Sequence, residues 1–300
     1  MPSHMHDDHI NGFPYLVEKY KTKIWCYENM VDILQNPRGY NLGCTYGEPI
    51  KVDLAFRDGE KFKWEEFEFT VCHSPGHTEF QMALFSVIDG ARVAFTGDNF
   101  FPSLLPSRIW PHDFPAYQLR HNLCFRNWVE SDSHFKSVRT IIENEPTVIA
   151  PAHGKPFLSN KEDLEDLKHR LEKQKHYFTS VIADPDCDFG LNPSWVRLYP
   201  YQVLVKAGSA ASLELRVRNY RSKPMLLEAT LNVPAGWEVT PGKLTIETSP
   251  KTDNAGAFIL TVPEDWDPSR SRVAVAADIV ADGQYLGEIA EGVVDVQFRG

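Results

Sequence analysis

Short apolar runs separated by turn residues fill much of the first 182 residues, and this pattern predicts strands joined by tight turns. The dipeptides Asp58-Gly59 and Asp89-Gly90 each separate two such runs, and an Asp-Gly pair in that position is a strong hairpin signal. The predicted strands cover residues 23–27, 50–56, 61–71, 81–88 and 92–95. Apolar residues at helical spacing predict helices over residues 12–21, 28–34 and 160–182. Strands and helices interleaved in this way predict a mixed α/β domain.

The pattern changes after residue 183, where helical periodicity gives way to short strands alternating with turns. The predicted strands are 201–206, 212–219, 225–233, 242–248, 256–262, 273–280 and 284–289, with a last strand that ends at Phe298. Strands of this length and spacing predict an all-β sandwich. The chain is therefore expected to divide into an α/β domain of residues 1–183, a linker of residues 184–194 and a β-sandwich accessory domain of residues 195–300.

The segment 231–239, with the sequence LNVPAGWEV, resembles the immunoglobulin-like domains attached to glycan-acting and surface enzymes. The C-terminal domain is thus expected to be an immunoglobulin-like sandwich. Its expected role is that of a scaffold, a dimerisation surface or a docking module, with carbohydrate binding as an alternative.

Composition and charge restrict the function classes. The chain has 300 residues and a formal net charge of −10, which argues against a general nucleic-acid binder because contacts with phosphate require a basic surface. No apolar run approaches the roughly 20 residues that cross a membrane as a helix, so no membrane partner is expected. The five cysteines are widely spaced and include no C-x-x-C pair, which favours reduced thiols and a cytoplasmic location.

Four potential metal ligands occur close together near the N-terminus, in the order His4, His6, Asp8 and His9. Alternate residues of an extended backbone point to the same side, so His4 and His6 can hold one metal ion. Asp8 and His9, beyond the following turn, can hold a second. Asp7 is expected to be a neighbour without a ligand role. The alternative is a polar surface loop or the remnant of a purification tag.

Three further candidates, His77, Asp98 and His153, each follow a strand-like apolar run and precede a loop. A sheet presents loop-borne chemistry at the ends of its strands, so these side chains can meet at one rim. A single such histidine is more often structural, but several strand-end sites with one ligand chemistry indicate a metal centre. Imidazole and carboxylate ligands suit Zn²⁺, and also Fe²⁺ or Mn²⁺.

The ordered series H-x-H-x-D-H, S-P-G-H-T, T-G-D and P-A-H-G resembles the metallo-β-lactamase fold superfamily over roughly residues 1–182. The resemblance implies an αββα sandwich for this domain and a dinuclear metal site. The implied ligands are His4, His6 and His77 for the first metal, Asp8, His9 and His153 for the second, and Asp98 as a bridge between the two.

The superfamily also implies a substantial stretch of β-strands before the first metal motif. Only Met1-Pro2-Ser3 precede that motif in this sequence, so the domain is expected to be truncated at its N-terminus. A late start of the gene, a fragment, or a second chain that supplies the strands would each explain the difference.

Two positions indicate a branch of the superfamily. Asp98 stands where β-lactamases of the commonest class carry Cys, so the site is similar to those of glyoxalase II, lactonase and ribonuclease Z-like hydrolases. His6 stands where flavodiiron oxygen reductases usually carry Glu, which disfavours that redox branch. An iron persulfide dioxygenase branch stays open, whereas the acidic net charge disfavours a ribonuclease Z-like nuclease.

The implied activity is metal-dependent hydrolysis with two Zn²⁺ ions per chain, or with Fe or Mn in their place. Two such ions lower the pKa of a bridging water to about 7, and the hydroxide would attack an ester, thioester, lactone or similar small molecule. Asp8 would orient the hydroxide and pass its proton on. The alternatives are a non-haem iron oxidoreductase of the same superfamily, or a catalytically inert truncated chain that acts through its β-sandwich as a binding module.

Candidate substrate contacts follow from position in the chain. Residues 99–135 form an aromatic-rich insertion directly after Asp98, so Phe101 and Trp110 are expected to wall the substrate site. Core packing or the face of a homo-oligomer explains the same aromatic residues equally well. Lys155, two residues after His153, is a candidate contact for an anionic substrate group.

Overall fold

The computed structural model describes residues 1–102, 119–182 and 185–298. The chain divides into two units, one made of Met1–Pro37 and Leu42–Ala183 and the other of Arg38–Asn41 and Asp184–Gly300. Within the described residues, no helix is both long enough and apolar enough to cross a membrane.

The first unit is mixed α/β, as the sequence predicts. Its helices are α1 (Asp7–Ile10), α2 (Phe13–Tyr20), α3 (Met30–Gln35), α4 (Ser133–Asn144) and α5 (Lys161–Ile182). Its strands are β1 (Trp25–Tyr27), β2 (Leu54–Phe56), β3 (Lys61–Trp64), β4 (Phe67–His73), β5 (Met82–Ile88), β6 (Ala91–Gly97), β7 (Phe100–Pro102), β8 (Leu119–His121), β9 (Val148–Pro151) and β10 (Phe157–Leu158). The predicted helices over 12–21, 28–34 and 160–182 are confirmed as α2, α3 and α5.

Six of these strands form one sheet in the order β10-β9-β6-β5-β4-β3. Neighbouring strands run antiparallel except β6 and β9, which are parallel. The hairpin predicted at Asp89-Gly90 is confirmed between β5 and β6. Asp89 has a φ of 50° and Gly90 a φ of 80°, and two left-handed residues in succession are what a tight hairpin turn requires.

The hairpin predicted at Asp58-Gly59 is wrong. Strand β2 pairs in parallel with β1 in a separate two-stranded sheet, and β3 pairs instead with β4 across Glu65-Glu66. The predicted strand 61–71 is interrupted there because Glu65 adopts a left-handed φ of 53°. Asp58 has another role, since its Oδ1 accepts a hydrogen bond from the backbone N–H of His73 at 2.8 Å.

Helices α4 and α5 share one hydrophobic core with the six-stranded sheet. Leu164, Leu167 and Leu171 of α5 are buried, and their spacing of three and four residues places them on one face of the helix. The other buried residues of this core are Cys72, Ala83, Phe85, Ala94, Phe100, Leu119, Val138, Ile141 and Ile149. This core anchors the strands whose ends carry the candidate ligands.

Within its described residues, the second unit contains one short α-helix, α6 (Asp188–Leu191), and nine strands. The strands are β11 (Val196–Tyr199), β12 (Gln202–Lys206), β13 (Ala210–Arg218), β14 (Met225–Asn232), β15 (Glu238–Thr240), β16 (Leu244–Thr248), β17 (Asp253–Thr261), β18 (Arg272–Ala281) and β19 (Gln284–Gln297). They form one sheet in the order β11-β13-β17-β15 and a second in the order β12-β19-β18-β14-β16. Buried side chains of both sheets belong to a single core.

This unit differs from the sequence prediction in three respects. Strands β11 and β15 lie outside the predicted strands. Helix α6 lies within the predicted linker 184–194, where Cys187 and Asn192 are buried. The two last predicted strands form one continuous strand, β19. Gly287, with a φ of 86°, lies at a shift in the register between β18 and β19, and the pairing continues on both sides of it.

Candidate metal site

The N-terminal ligand motif is attached to the sheet by backbone bridges. His4 pairs with Gln81, which precedes β5, and His6 pairs with Thr45. The backbone N–H of Met82 donates to the carbonyl oxygen of Ser3 at 2.9 Å. Helix α1 begins directly after His6, so the chain turns there and brings Asp8 and His9 back towards the first two histidines.

The three later ligand candidates lie at one rim of the sheet. His77 lies between β4 and β5, Asp98 directly follows β6, and His153 follows β9 by two residues. Because β6 and β9 run parallel, with Gly97 opposite Pro151, Asp98 and His153 leave the sheet at the same edge.

Three ring nitrogens converge at the buried end of the site. Nδ1 of His6 lies 3.0 Å from Nε2 of His4 and 3.0 Å from Nε2 of His77. Nitrogen ligands about 2.0–2.1 Å from a tetrahedral Zn²⁺ are separated by roughly 3.4 Å, so both of these pairs lie a few tenths of an ångström closer together than the ligands of a bound ion.

Carboxylate oxygens join the rings at the other end. Oδ2 of Asp8 lies 3.1 Å from Nε2 of His153 and 3.4 Å from Nε2 of His9. Oδ2 of Asp98 lies 3.6 Å from Nε2 of His153 and 3.8 Å from Nε2 of both His9 and His77. Asp98 therefore reaches ligand candidates of both ends.

All seven predicted ligands are thus brought into one cluster. They fall into three overlapping groups: His4, His6 and His77; His4, His9 and Asp98; and Asp8, His9 and His153. Within each group the ligand atoms lie within 4.8 Å of one another. The groups overlap through His4 and His9, and Asp98 stands with both in the middle group.

Burial differs across the cluster. His4, His6 and Asp98 are buried, whereas Asp8 and His153 are exposed. The buried end can hold a cation away from bulk water, and the exposed end is open to a small molecule from solvent.

The protonation states suit a cation. Burial is the largest cause that lowers the pKa of His4 to about 2 and the pKa of His6 to about 4. The neighbouring carboxylate of Asp98 raises the pKa of His9. Burial opposes the ionisation of Asp98, but the adjacent ring of His9 and the other surrounding rings outweigh burial and lower the pKa of the carboxyl. At neutral pH His4 and His6 are uncharged and Asp98 is ionised, as metal ligands must be.

One unpaired atom also fits a bound cation. Oδ1 of Asp98 is buried and has no hydrogen-bond partner among the residues that the structure describes. A buried ionised oxygen without a partner is costly in free energy, and coordination of a metal would remove that cost. The residues present therefore fit the cations that the ligand types imply.

The predicted substrate contacts are placed only in part. Lys155 is exposed, and Phe101 is half-buried in β7. Trp110 lies outside the described residues. Two other aromatic residues of the insertion, Phe100 and Trp128, are buried, and Phe100 belongs to the core, which favours packing as the role of this pair.

Sequence reasoning missed a set of asparagines around His77. Oδ1 of Asn99 accepts a hydrogen bond from the backbone N–H of His77 at 2.8 Å, and Nδ2 of Asn127 donates to the carbonyl oxygen of His77 at 2.7 Å. Asn99 also donates to the carbonyl oxygen of Ser74. The adjacency of Asn99 to Asp98 was the only available signal, whereas nothing in the sequence distinguishes Asn127 from a surface polar residue.

Gly76 is required for this packing. A Cβ atom at residue 76 would overlap the ring of His121 and Oδ1 of Asn99. Gly76→Ala is therefore expected to destabilise the first unit by about 1–3 kcal/mol, the usual cost of overpacking. Gly43→Ala is the matched control, since nothing lies within 4 Å of its added Cβ. Urea unfolding measures both variants, and equal free energies of unfolding would contradict the expectation.

Comparison with known proteins extends these observations. The profile of the Metallo-beta-lactamase superfamily matches residues 2–153. A metallo-beta-lactamase superfamily protein from the archaeon Sulfolobus tokodaii is 21% identical, with 58% of this chain and 67% of that chain covered and a TM-score of 0.37. The metallo-beta-lactamase GOB-18 from Elizabethkingia meningoseptica is 18% identical, with 61% and 70% covered and a TM-score of 0.41. A Cronobacter sakazakii metallo-beta-lactamase with a HARLDQ motif is 15% identical, with 60% and 71% covered and a TM-score of 0.41.

Proposed function

Since this chain belongs to the metallo-beta-lactamase superfamily, we propose that its first unit is a metal-dependent hydrolase. The observation that carries the proposal is the convergence of seven imidazole and carboxylate side chains in three groups that overlap through His4 and His9. Such a convergence at the rim of a sheet, with one buried and one exposed end, suits a catalytic centre better than a structural one, because a structural metal site is closed.

We propose that the site holds two Zn²⁺ ions. His4, His6 and His77 would hold the first, Asp8, His9 and His153 the second, and Asp98 would contact both. Bound there, two divalent cations supply an activated water near neutral pH and polarise the oxygen of the substrate. The uncharged rings of His4 and His6 support this assignment, as does the position of Asp98 Oδ2 within 3.8 Å of rings from both ends.

The chain's own residues would perform the remaining steps. Asp8 has an exposed carboxylate beside His153, so it can orient an incoming water and accept its proton at the solvent side of the site. Lys155 would attract an anionic group of the substrate, and Phe101 and Trp110 would contact its apolar part. Contacts with both ends of the cluster would hold the substrate close to the nucleophile. Such positioning removes much of the translational and rotational entropy that the reaction would otherwise cost.

The proposed substrates are small esters, thioesters and lactones. An oxygen ligand at Asp98, in place of a thiolate, supports a site of the glyoxalase II or lactonase type. The exposed end of the cluster supports a small molecule that approaches from solvent.

For the second unit we propose an immunoglobulin-like accessory sandwich. All eleven histidines of the chain precede residue 184, so this unit lacks the imidazole ligands of the first. A scaffold, docking or dimerisation role is therefore the better proposal for it.

Metal content tests the proposed function. We expect about two zinc ions per chain by elemental analysis of the full chain purified without a histidine tag. We also expect hydrolysis of an ester, thioester and lactone panel that chelation abolishes and Zn²⁺ restores. A chain that binds no metal would refute the proposal, and about one iron per chain with oxygen uptake would replace it with the oxidative alternative.

A further inference from the structure

Three asparagines contact His77, two at its backbone and one at its ring. Asn99 and Asn127 bind its backbone N–H and carbonyl oxygen, as described above. Asn122, which follows β8, binds the ring itself, because its Nδ2 donates to Nδ1 of His77 at 2.8 Å. Backbone and ring are therefore held independently, and the ring orientation depends on Asn122.

The hydrogen bond to Nδ1 determines which ring nitrogen carries the hydrogen. A neutral imidazole has one N–H and one lone pair. The amide of Asn122 holds Nδ1, and Nε2 lies 3.0 Å from His6 Nδ1 within the cluster. A metal ligand needs its lone pair on that same Nε2. Metal binding at His77 therefore requires the hydrogen on Nδ1, which then needs an acceptor.

An asparagine can satisfy both states. Its amide carries a donor group and an acceptor oxygen of nearly the same size and shape, so turning the amide over exchanges one for the other without repacking. An aspartate in this position would only accept, and an apolar residue would do neither. Histidine ligands of metals generally donate their second N–H to a carboxylate or carbonyl oxygen, which fixes the ring and raises its basicity.

We propose that Asn122 is a positioning residue for metal binding. Its amide lies 2.8 Å from Nδ1 of His77, where Oδ1 would accept from Nδ1–H when Nε2 binds a metal. This inference rests on the proposed function, since it assigns His77 to the metal. It goes beyond that function by naming the group that sets the tautomer and orientation of this ligand.

The binding affinity for Zn²⁺ tests the proposal. Competition with a chromophoric chelator on the full chain should show a 10–100-fold loss of affinity for Asn122→Ala, the usual effect of losing the outer partner of a ligand histidine. Asn122→Asp should bind at least as tightly as the wild type, because it accepts from Nδ1–H permanently. Rescue by the aspartate distinguishes positioning of the ring from simple packing.

Asn29 supplies the matched control. Its Nδ2 lies 3.2 Å from Nε2 of His73 and donates to the carbonyl oxygen of Glu79 at 2.8 Å. His73 belongs to none of the ligand groups. Asn29→Ala should therefore change the Zn²⁺ affinity less than about two-fold, although it also removes an asparagine from behind a histidine ring.

Nitrogen NMR of the histidine rings gives a readout that needs no variant. His77 of the wild type should have its hydrogen on Nδ1 when Zn²⁺ is bound. A Zn²⁺-bound His77 with its hydrogen on Nε2, or an Asn122→Ala variant that binds Zn²⁺ as the wild type does, would overturn the inference while the hydrolase proposal stands. A wild type that binds no zinc would refute both.

Discussion

Asp98→Ala is expected to lower kcat/KM for the best ester or thioester substrate by more than about 100-fold. Loss of a partner that only supports a ligand costs 10–100-fold, and Asp98 would contact the metals directly. Its Oδ2 approaches rings of His9, His77 and His153 at 3.6–3.8 Å, so its removal affects both ends of the cluster. His77→Ala should have a comparable effect through the buried end.

Steady-state hydrolysis with matched metal loading measures this effect. Asp7→Asn is the control, because it removes a carboxylate charge next to Asp8 while its Oδ1 can still accept from the backbone N–H of Asp8. That variant should retain activity within a few-fold. Near-normal turnover by Asp98→Ala, with the second unit folded in both proteins, would refute the assignment of the site.

The ligand cluster could be predicted from the sequence because local patterns determine most of it. Ligand spacing in His4 to His9 follows from backbone alternation and a single turn. His77, Asp98 and His153 each follow a strand, and strands of one sheet end at a common rim. Backbone alternation does not predict which ring nitrogen of each histidine faces the cluster. His6 presents Nδ1, whereas His4 and His77 present Nε2.

The asparagines around His77 were beyond prediction for a different reason. Asn122 and Asn127 lie more than forty residues from His77 along the chain and reach it only through tertiary packing. Isolated asparagines outside a repeated pattern carry no local signal, so only the folded chain distinguishes them from solvent-exposed polar residues.

The errors in the fold have a similar origin. Asp58-Gly59 carries the strongest hairpin signal of its region, yet β2 is paired elsewhere and the actual turn uses Glu65-Glu66. Local propensity at Asp58 was outweighed by a tertiary contact, its hydrogen bond with the backbone of His73. The Asp89-Gly90 hairpin succeeded because the strands on both sides pair with each other, so local and global preferences agree.

Acidification is expected to unfold the first unit of the metal-free protein before the second. Burial is the largest cause that lowers the pKa of His73 and of His134 to about 4, from an ordinary value of 6.5. Between about pH 6.5 and 4, these two histidines bind protons in the unfolded chain but stay uncharged in the folded unit. Stability is fully present above pH 6.5 and falls as the pH drops towards 4, by about 3 kcal/mol for each such histidine. Burial raises the pKa of Glu79, which lies beside His73, to about 8, so protonation of this carboxyl offsets about 2–3 kcal/mol of the loss over the same pH range. The net loss of about 3–4 kcal/mol is still a large part of the 5–15 kcal/mol typical of a domain.

Hydrogen exchange measured by mass spectrometry, corrected for the intrinsic pH dependence of exchange, separates the two units within one full chain. Peptides from residues 1–182 should lose protection between pH 6.5 and 4, whereas those from residues 185–298 should keep it, because that unit has no histidine to titrate in this range. His134→Leu should reduce the loss, since His134 is 2% exposed and its replacement removes one proton-binding group from the unfolded chain. Parallel loss of protection in both units, or an unchanged pH dependence in His134→Leu, would mean that buried histidines do not control acid stability. Stability would then be governed by carboxylates, whose protonation affects both units and extends below pH 4.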